Sequence, residues 1–198
     1  MPPFTPATSI YLVLDMQNDL VSANGPNGKS ALWEQVQGRD VVQRTADAIA
    51  QARAAGVRIG FVRVAFSPDY RECPASSPVF GAARGAGLFR LGAWGAEIHD
   101  ALKPLPGDIS VIKHRVSPFF STTLSAQLSA LNVGRIYCSG VSTQAVVQAT
   151  VRDAHDRDFE VVVLEDCCAA HSAQEHQNSI GSIGRFCTVV QSSDVTFS

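Results

Sequence analysis

The sequence alternates short, continuous apolar runs with stretches of helical periodicity along its whole length. The apolar runs fall at residues 9–14, 58–64, 109–112, 134–139, 160–164 and 187–191. Helical patterns fall at residues 40–55, 95–102, 122–131, 143–157 and 173–185. Runs without polar alternation are typical of parallel strands that are buried on both faces. The alternation therefore predicts βαβ units and an α/β fold with a doubly wound parallel sheet.

Length and charge favour one globular domain, residues 1–198, that handles a small molecule. The chain has 198 residues, 45% of them hydrophobic, and a net charge of −2. A near-neutral chain without a Lys/Arg cluster is not expected to bind nucleic acid or an anionic membrane. The first apolar run lacks a basic leader and is interrupted by Asp15, so we expect neither a signal peptide nor a membrane span. We expect a cytoplasmic location.

The cysteines predict reduced thiols rather than disulfides or a zinc site. There are five, an odd number, and no pair has CxxC spacing. Such a set is typical of a reducing compartment. They are Cys73, Cys138, Cys167, Cys168 and Cys187. We expect no structural metal and no cofactor.

Two segments, 16–39 and 65–94, interrupt the strand and helix pattern. The second is rich in Pro, Gly, Ser and Arg and is longer than a connection requires, which predicts a cover over the site or an interface. Its arginines are open to two interpretations: a clamp for a substrate carboxylate, or solvated or subunit-facing side chains. They are Arg71, Arg84 and Arg90.

Gly56 and Gly134 occupy the positions expected of helix C-caps.

Polar residues follow the predicted strands where ligands of open α/β sheets bind. Asp15 ends the first strand, Lys113 ends the third, and the turn CSGVST ends the fourth. An acid and a lysine at one sheet edge predict a buried ion pair that changes the pKa values of both groups. A structural salt bridge and a functional site both remain open. Gln17, two residues after Asp15, is a candidate for the same pocket.

Three motifs resemble the isochorismatase-like hydrolases, a superfamily that includes nicotinamidases, N-carbamoylsarcosine amidohydrolases and isochorismatases. The motifs are LVLDMQNDL, KHRVSPFFSTTL and CSGVSTQAVVQATVRDAHDRDFEVVVLEDCCAA, in the order of the family. The resemblance implies a Rossmann-like three-layer α/β/α fold with a six-stranded parallel sheet. It implies a homodimer or higher homo-oligomer, with Asp15 and Lys113 as catalytic residues. SPFF makes Phe119 a candidate pocket residue beside Phe66 and Phe120, although core packing is the alternative role for each phenylalanine.

One position departs from the pattern of the family. Most members carry a nucleophilic cysteine six residues after the glycine of the fourth-strand turn; counted from Gly140, this position is Val146. Valine cannot attack a carbonyl carbon. The resemblance also implies a cis peptide between Val141 and Ser142, with the N–H groups of Ser142 and Val146 directed into the pocket. Both residues are therefore candidates for substrate binding.

The metal site of the nicotinamidases requires histidine after the second strand, and AFSPDYRECP contains none.

Acid catalysis without a cysteine is the first hypothesis. Members that cleave a vinyl ether need a proton delivered to carbon, not an acyl-enzyme, and an aspartic acid can supply it. Asp15 would have to be protonated with substrate bound, so burial and an anionic substrate must outweigh the effect of Lys113. Because valine is larger than the glycine expected in such enzymes, it narrows the pocket, and a different small substrate is an equal alternative to isochorismate.

Two other hypotheses remain open. The second hypothesis is an amide or carbamoyl hydrolase with a relocated nucleophile, for which Cys138, Cys167 and Ser142 are the candidates. Cys138 is also explained as a small buried core residue and Ser142 as a helix N-cap. Alternatively, the chain is an inactive binding or structural relative in which Asp15 and Lys113 persist for stability.

Overall fold

Six parallel strands form one sheet in the computed structural model, which describes residues 4–102 and 104–197. The strands are β1 (Ser9–Leu14), β2 (Arg58–Val64), β3 (Ile109–Lys113), β4 (Arg135–Val141), β5 (Glu160–Ala169) and β6 (Thr188–Val190). Their order is β3-β2-β1-β4-β5-β6, and every neighbouring pair is parallel. The predicted parallel sheet is confirmed. The order reverses at β1, so the connections cover both faces.

Helices lie on both faces of the sheet. They are α1 (Asn18–Val21), α2 (Ala31–Gly38), α3 (Val41–Ala54), α4 (Ala83–Ala86), α5 (Leu124–Ala130), α6 (Gln148–His155) and α7 (Ala173–Ile183). A π-helical turn, Thr143–Val147, precedes α6. No helix within the described residues is long and apolar enough to cross a bilayer.

Two hydrophobic cores, one on each face, explain why the strands are apolar throughout. Tyr11 and Val13 of β1 pack into the core beneath α2 and α3. Ile10, Leu12 and Leu14 of the same strand pack into the core beneath α5, α6 and α7. Alternate side chains of a strand point to opposite faces, so a strand between two helical layers needs apolar residues at every position. The three-layer α/β/α architecture is therefore confirmed.

The predicted helix at 95–102 is wrong. The segment contains two 3₁₀ turns, Trp94–Ala96 and Asp100–Leu102, with extended residues between them. The His99 N–H donates to the Met16 carbonyl at 2.9 Å, and the Asn18 N–H donates to the Glu97 carbonyl at 3.0 Å. Backbone groups that bond to residues 16–18 are not available to a helix, so this long-range pairing overrides the local pattern.

Only one of the two predicted glycine C-caps is confirmed. Gly56 follows α3 with a φ of 82°, in the left-handed region that glycine adopts without a steric penalty. After α5 the left-handed residue is Asn132, with a φ of 52°, and not Gly134. Asparagine tolerates this conformation. Gly134 instead makes room for the ring of Phe4, whose Cε1 would lie 2.5 Å from an added Cβ.

Gly140, near the end of β4, allows β4 to approach β1 closely at the carboxyl edge of the sheet. Its φ is 139°, and a Cβ on this residue would lie 2.0 Å from the carbonyl oxygen of Leu14. Leu14 is the residue before Asp15, and β1 pairs with β4 directly through Leu14 and Gly140. Any side chain at residue 140 would therefore displace the backbone that carries Asp15.

We expect Gly140→Ala to lower the free energy of unfolding by about 3 kcal/mol, because the Cβ meets backbone atoms and the φ disfavours alanine. Urea denaturation measures the change. Gly181→Ala is the matched control: Gly181 lies inside α7, and an added Cβ would meet nothing within 4 Å. This control should raise the free energy of unfolding by about 0.5–1 kcal/mol. Equal effects of the two substitutions would contradict the steric argument.

Candidate active site

Asp15 and Lys113 form a buried ion pair at the carboxyl edge of the sheet. Asp15 directly follows β1, and Lys113 is the last residue of β3; these two strands flank β2. The Lys113 Nζ lies 2.8 Å from the Asp15 Oδ2, and the side chains are 0% and 3% exposed. The ion pair expected from the sequence is present. The catalytic roles of the two residues stay a prediction.

The environment of Asp15 favours its protonated form more than water does. Burial raises the pKa of the Asp15 carboxyl above its usual value, and the charge and hydrogen bond of Lys113 oppose this shift without cancelling it. The Lys113 ammonium also donates to the Arg115 carbonyl at 3.2 Å. The second oxygen, Oδ1, is buried and has no hydrogen-bond partner within the described part of the chain. Asp15 is thus suited to hold a proton.

Asp15 and Lys113 line a cavity of about 410 Å³, together with Ser142 and Val146. These four predicted site residues therefore share one space. The other lining residues are mostly apolar: Leu20, Asn27, Ser30, Leu32, Val64, Val79, Phe80, Leu88, Phe89, Val116, Val141, Gln144, Ala145 and His171. A cavity with apolar walls and a few converging polar groups is typical of a small-molecule site.

The Ser142 turn, residues 142–147, forms one wall of the cavity. The peptide bond between Val141 and Ser142 is cis, as the resemblance implies. The Ser142 carbonyl accepts the N–H groups of Ala145, Val146 and Val147 at 3.1, 2.9 and 3.3 Å. The expectation that the Val146 N–H points into the pocket is therefore wrong, because this donor is engaged inside the turn. The Val146 side chain itself lines the cavity.

Gln17 does not line the cavity, contrary to the prediction. Its side chain is fully buried and pairs with the backbone of Val64: the Nε2 donates to the carbonyl and the Oε1 accepts the N–H, both at 2.8 Å. The Nε2 also donates to the Ala96 carbonyl at 3.1 Å. These bonds occupy the amide, so Gln17 ties the end of β2 to residue 96 instead of binding a ligand.

Phe66 and Phe119 are also absent from the cavity wall. Phe66 is fully buried and packs against Tyr70, Phe80 and the ring of His114. Phe119 stacks on Phe159 with ring centroids 6.1 Å apart and lies under Arg157. Both phenylalanines have the core role that was the alternative for each. Phe120 is 58% exposed and likewise lies outside this cavity.

The cover segment, residues 65–94, supplies apolar walls and no arginine to the cavity. Val79, Phe80, Leu88 and Phe89 line it. Arg71 is exposed and pairs with Asp69, and neither Arg84 nor Arg90 is among the described lining residues. The proposed carboxylate clamp is therefore wrong for this arrangement. The segment covers this cavity, which is one of the two roles expected of it.

Asn18 and Asp19, in the motif LVLDMQNDL, hold the cover segment in place. The Asp19 Oδ2 accepts the Phe89 N–H at 2.7 Å, and the Asn18 Nδ2 donates to the Trp94 carbonyl at 2.9 Å. Burial raises the pKa of Asp19, and the hydrogen bond from Phe89 opposes this shift. Asn18 and Asp19 therefore shape the cavity by fixing the backbone at Phe89 and Trp94.

Sequence reasoning missed a polar pair in the wall, Gln144 and His171. The Gln144 Nε2 lies 2.7 Å from the His171 Nδ1. Gln144 lies two residues beyond Ser142, and His171 lies two residues beyond the end of β5 at Ala169. The rule that ligands bind beyond the carboxyl ends of parallel strands was the signal that could have found both.

The three cysteines within strands β4 and β5 are buried away from the cavity. Cys138 and Cys168 pack in the core beneath α5–α7, and Cys167 packs in the opposite core. Burial raises the pKa of the Cys167 thiol to about 12, and burial also raises the pKa values of Cys138 and Cys168. Such thiols carry little thiolate at neutral pH. Among the described residues, no three His, Cys, Asp or Glu side chains are placed to hold a metal ion.

Comparison with known proteins identifies the family. A family model described as the isochorismatase domain matches residues 9–194. The chain belongs to the isochorismatase family of hydrolases. Ureidoacrylate amidohydrolase RutB of Methylorubrum extorquens is 32% identical over 182 residues, which span 86% of this chain and 72% of that protein. The uncharacterized isochorismatase family protein YecD of Escherichia coli O157:H7 is 33% identical over 180 residues, which span 89% and 87%.

Solved structures agree with this assignment. An isochorismatase family protein from Desulfovibrio vulgaris superposes with a TM-score of 0.83 at 29% identity, and the alignment covers 94% of this chain and 95% of that one. The resemblance found in the three motifs is therefore confirmed for both family and fold. The isochorismatase family is thus shown by sequence and by structure.

We expect Lys113→Met to lower the free energy of unfolding by about 3–5 kcal/mol at pH 8, because it leaves a buried carboxylate without its counter-ion. Without Lys113, the largest opposing influence on Asp15 is lost, so burial raises its folded-state pKa further above the ordinary 3.8. The folded state then binds the proton more tightly than the unfolded chain does. The free energy of unfolding must therefore fall as the pH rises from about 4 through the folded-state pKa.

Urea denaturation between pH 5 and pH 8 measures this effect. The deficit of Lys113→Met relative to the parent should be smaller at pH 5 than at pH 8. The double variant Asp15→Leu/Lys113→Met removes both charges and is the control, so its deficit should vary little over this range. A Lys113→Met deficit that is the same at every pH would show that the pair is not the cause.

Proposed function

We propose that this isochorismatase-family hydrolase acts on a small anionic substrate by acid catalysis from Asp15, without a cysteine nucleophile. One observation carries the proposal: a buried carboxyl, held by Lys113 and raised in pKa, lies on the wall of a cavity where Val146 occupies the position of the nucleophile. A general acid needs a proton at the operating pH, and burial shifts the pKa of Asp15 in the direction that favours one.

The ion pair offers a way for substrate binding to protonate Asp15. Lys113 is the only Lys or Arg among the described lining residues, so an anionic group that enters the cavity finds its counter-ion there. Such a group competes with Asp15 for the Lys113 ammonium. Losing this partner raises the pKa of Asp15 further, because Lys113 is the main influence that opposes burial. Substrate binding and protonation of Asp15 are therefore expected to favour each other.

Hydrolysis of an enol ether fits these groups. Asp15 donates its proton to the terminal vinyl carbon, and the double-bond electrons form the new C–H bond. The resulting oxocarbenium ion is captured by water, which loses a proton to the Asp15 carboxylate. The hemiketal then divides into a ketone and an alcohol. Apolar side chains such as Phe80, Phe89 and Val146 keep the dielectric constant low, which strengthens the electrostatic effect of Asp15 and Lys113 on the cation.

Hydrolysis of a C–N bond is the second candidate, favoured by the 32% identity with a protein named ureidoacrylate amidohydrolase. It requires a relocated nucleophile. The buried thiols of Cys138 and Cys167 are poor candidates because they lie in the cores and their pKa values are raised. Ser142 lines the cavity, so its hydroxyl is the best-placed nucleophile for this route. An inactive relative would turn over neither class of substrate.

We expect Asp15→Asn to lower kcat/KM by at least about 10²-fold, the usual contribution of a general acid. Asparagine keeps the size of the side chain but holds no transferable proton. The measurement is steady-state turnover of isochorismate, smaller carboxylated enol ethers and ureidoacrylate. Asp47→Asn, on the exposed face of α3, is the control and should leave the rate unchanged. Wild-type turnover by Asp15→Asn would exclude the proposal.

Thiol chemistry separates the two candidate mechanisms. Blocking the accessible thiols with iodoacetamide should leave turnover within about twofold, because no cysteine takes part in acid catalysis. Intact-mass analysis during turnover should detect no covalent intermediate. An adduct on Ser142 or on any cysteine would instead support the C–N hydrolase.

We expect Val146→Cys to introduce turnover of ureidoacrylate that iodoacetamide abolishes. A thiol at this position lies in the first turn before α6 and shares the cavity with Lys113, and both features favour the thiolate. Val146→Ala is the control and should give no such activity. An inert but folded Val146→Cys protein would show that the cavity has lost the geometry for amide hydrolysis.

A further inference from the structure

A buried chain of hydrogen bonds leads away from the Ser142 turn. The hydroxyl oxygen of Thr143 lies 2.9 Å from the Nδ1 of His176, and the Nε2 of His176 lies 2.5 Å from the Oε1 of Glu165. Thr143 and His176 are both fully buried. Thr143 follows Ser142 directly, and the turn it opens is a wall of the cavity. The chain therefore connects that wall to the side chain of Glu165 on β5.

The protonation states give this chain one direction. Burial would raise the pKa of Glu165, but hydrogen bonds from His176 and Gln191 and the charge of Arg39 lower it to about 2. Burial lowers the pKa of His176. An ionised Glu165 accepts from the Nε2–H of a neutral His176, so the Nδ1 can only accept. With His176 in this neutral form, the Thr143 hydroxyl donates to the Nδ1.

Arg39 connects the same carboxylate to a second wall of the cavity. Its guanidinium donates to the Glu165 Oε1 at 2.8 Å and to the Cys168 carbonyl at 3.1 Å. Arg39 directly follows α2, and Ser30 and Leu32 at the start of that helix line the cavity. One carboxylate thus holds the end of α2 on one side and, through His176, the Ser142 turn on the other.

We propose that His176 and Glu165 are positioning residues, which fix the Ser142 turn relative to α2 through the Thr143 hydroxyl and Arg39. The order hydroxyl, imidazole, carboxylate is also that of a serine-hydrolase triad. Thr143, however, is fully buried and is absent from the described cavity lining. This series of hydrogen bonds therefore acts on the backbone and not on substrate. The inference rests on the proposed function only in taking this cavity as the active site.

The test removes the hydroxyl without changing the shape of the side chain. Thr143→Val leaves the Nδ1 of a buried imidazole without its donor, whereas Thr143→Ser keeps the donor. Thr45→Val is the matched control, because Thr45 is equally buried in α3 and is not among the described cavity-lining residues. It reports the effect of removing a buried threonine hydroxyl that has no hydrogen-bond partner within the described residues.

The first readout is the reactivity of a thiol placed in the turn. In a Val146→Cys background, peptide mapping after iodoacetamide treatment gives the alkylation rate at residue 146 as a function of pH. Thr143→Val should raise the pH midpoint of this profile by about one unit towards that of an ordinary thiol. Thr143→Ser and Thr45→Val should leave the midpoint unchanged. A midpoint that does not move in Thr143→Val overturns the proposal.

The second readout needs no introduced cysteine. Amide hydrogen exchange of Val146 and Val147, whose N–H groups bond to the Ser142 carbonyl, should accelerate at least about tenfold in Thr143→Val and not in Thr45→Val. Equal protection in the two variants overturns the proposal. Neither readout involves turnover, so a failure of acid catalysis by Asp15 would be recognised separately from a failure of this positioning role.

Discussion

The buried pair of Asp15 and Lys113 is the interaction on which the rest of the structure depends. Two charges withdrawn from water are tolerated only when each is the counter-ion of the other. Here the contact requires that β1 and β3 flank β2 and end at the same edge of the sheet. The ion pair therefore depends on the order of the strands in the sheet. Losing either partner alone would leave a charge with no compensation.

In the proposed function, the same pair sets the chemistry available in the cavity. A cysteine enzyme uses the lysine and the helix N-terminus to stabilise a thiolate, but valine at residue 146 leaves nothing to stabilise. What remains is a carboxyl whose pKa burial raises, against an otherwise mostly apolar wall. That arrangement suits proton transfer to substrate, with Lys113 free to meet an anionic group once Asp15 is neutral. The visible thiols, such as Cys138 and Cys168, are core residues.

Many polar residues near the cavity hold the backbone rather than a ligand. Gln17, Asn18 and Asp19 each bond to a different point of the chain between residues 64 and 96. His176 and Glu165 do the corresponding work behind the Ser142 turn. Loops around an active site expose backbone N–H and C=O groups that need partners when buried. The cavity keeps its shape because side chains supply those partners.

The sequence by itself determined the parallel sheet, its six strands and the placement of Asp15 and Lys113 at one edge. These features follow from local periodicity and from the rule that parallel strands present their carboxyl ends together. The tertiary structure decided the rest: that residues 95–102 pair with 16–18 instead of forming a helix, and that Gln17, Phe66 and Phe119 face away from the cavity. Each contacts a partner that is distant in sequence: Val64 for Gln17, His114 for Phe66 and Phe159 for Phe119. No local pattern records which of several buried neighbours a side chain will meet.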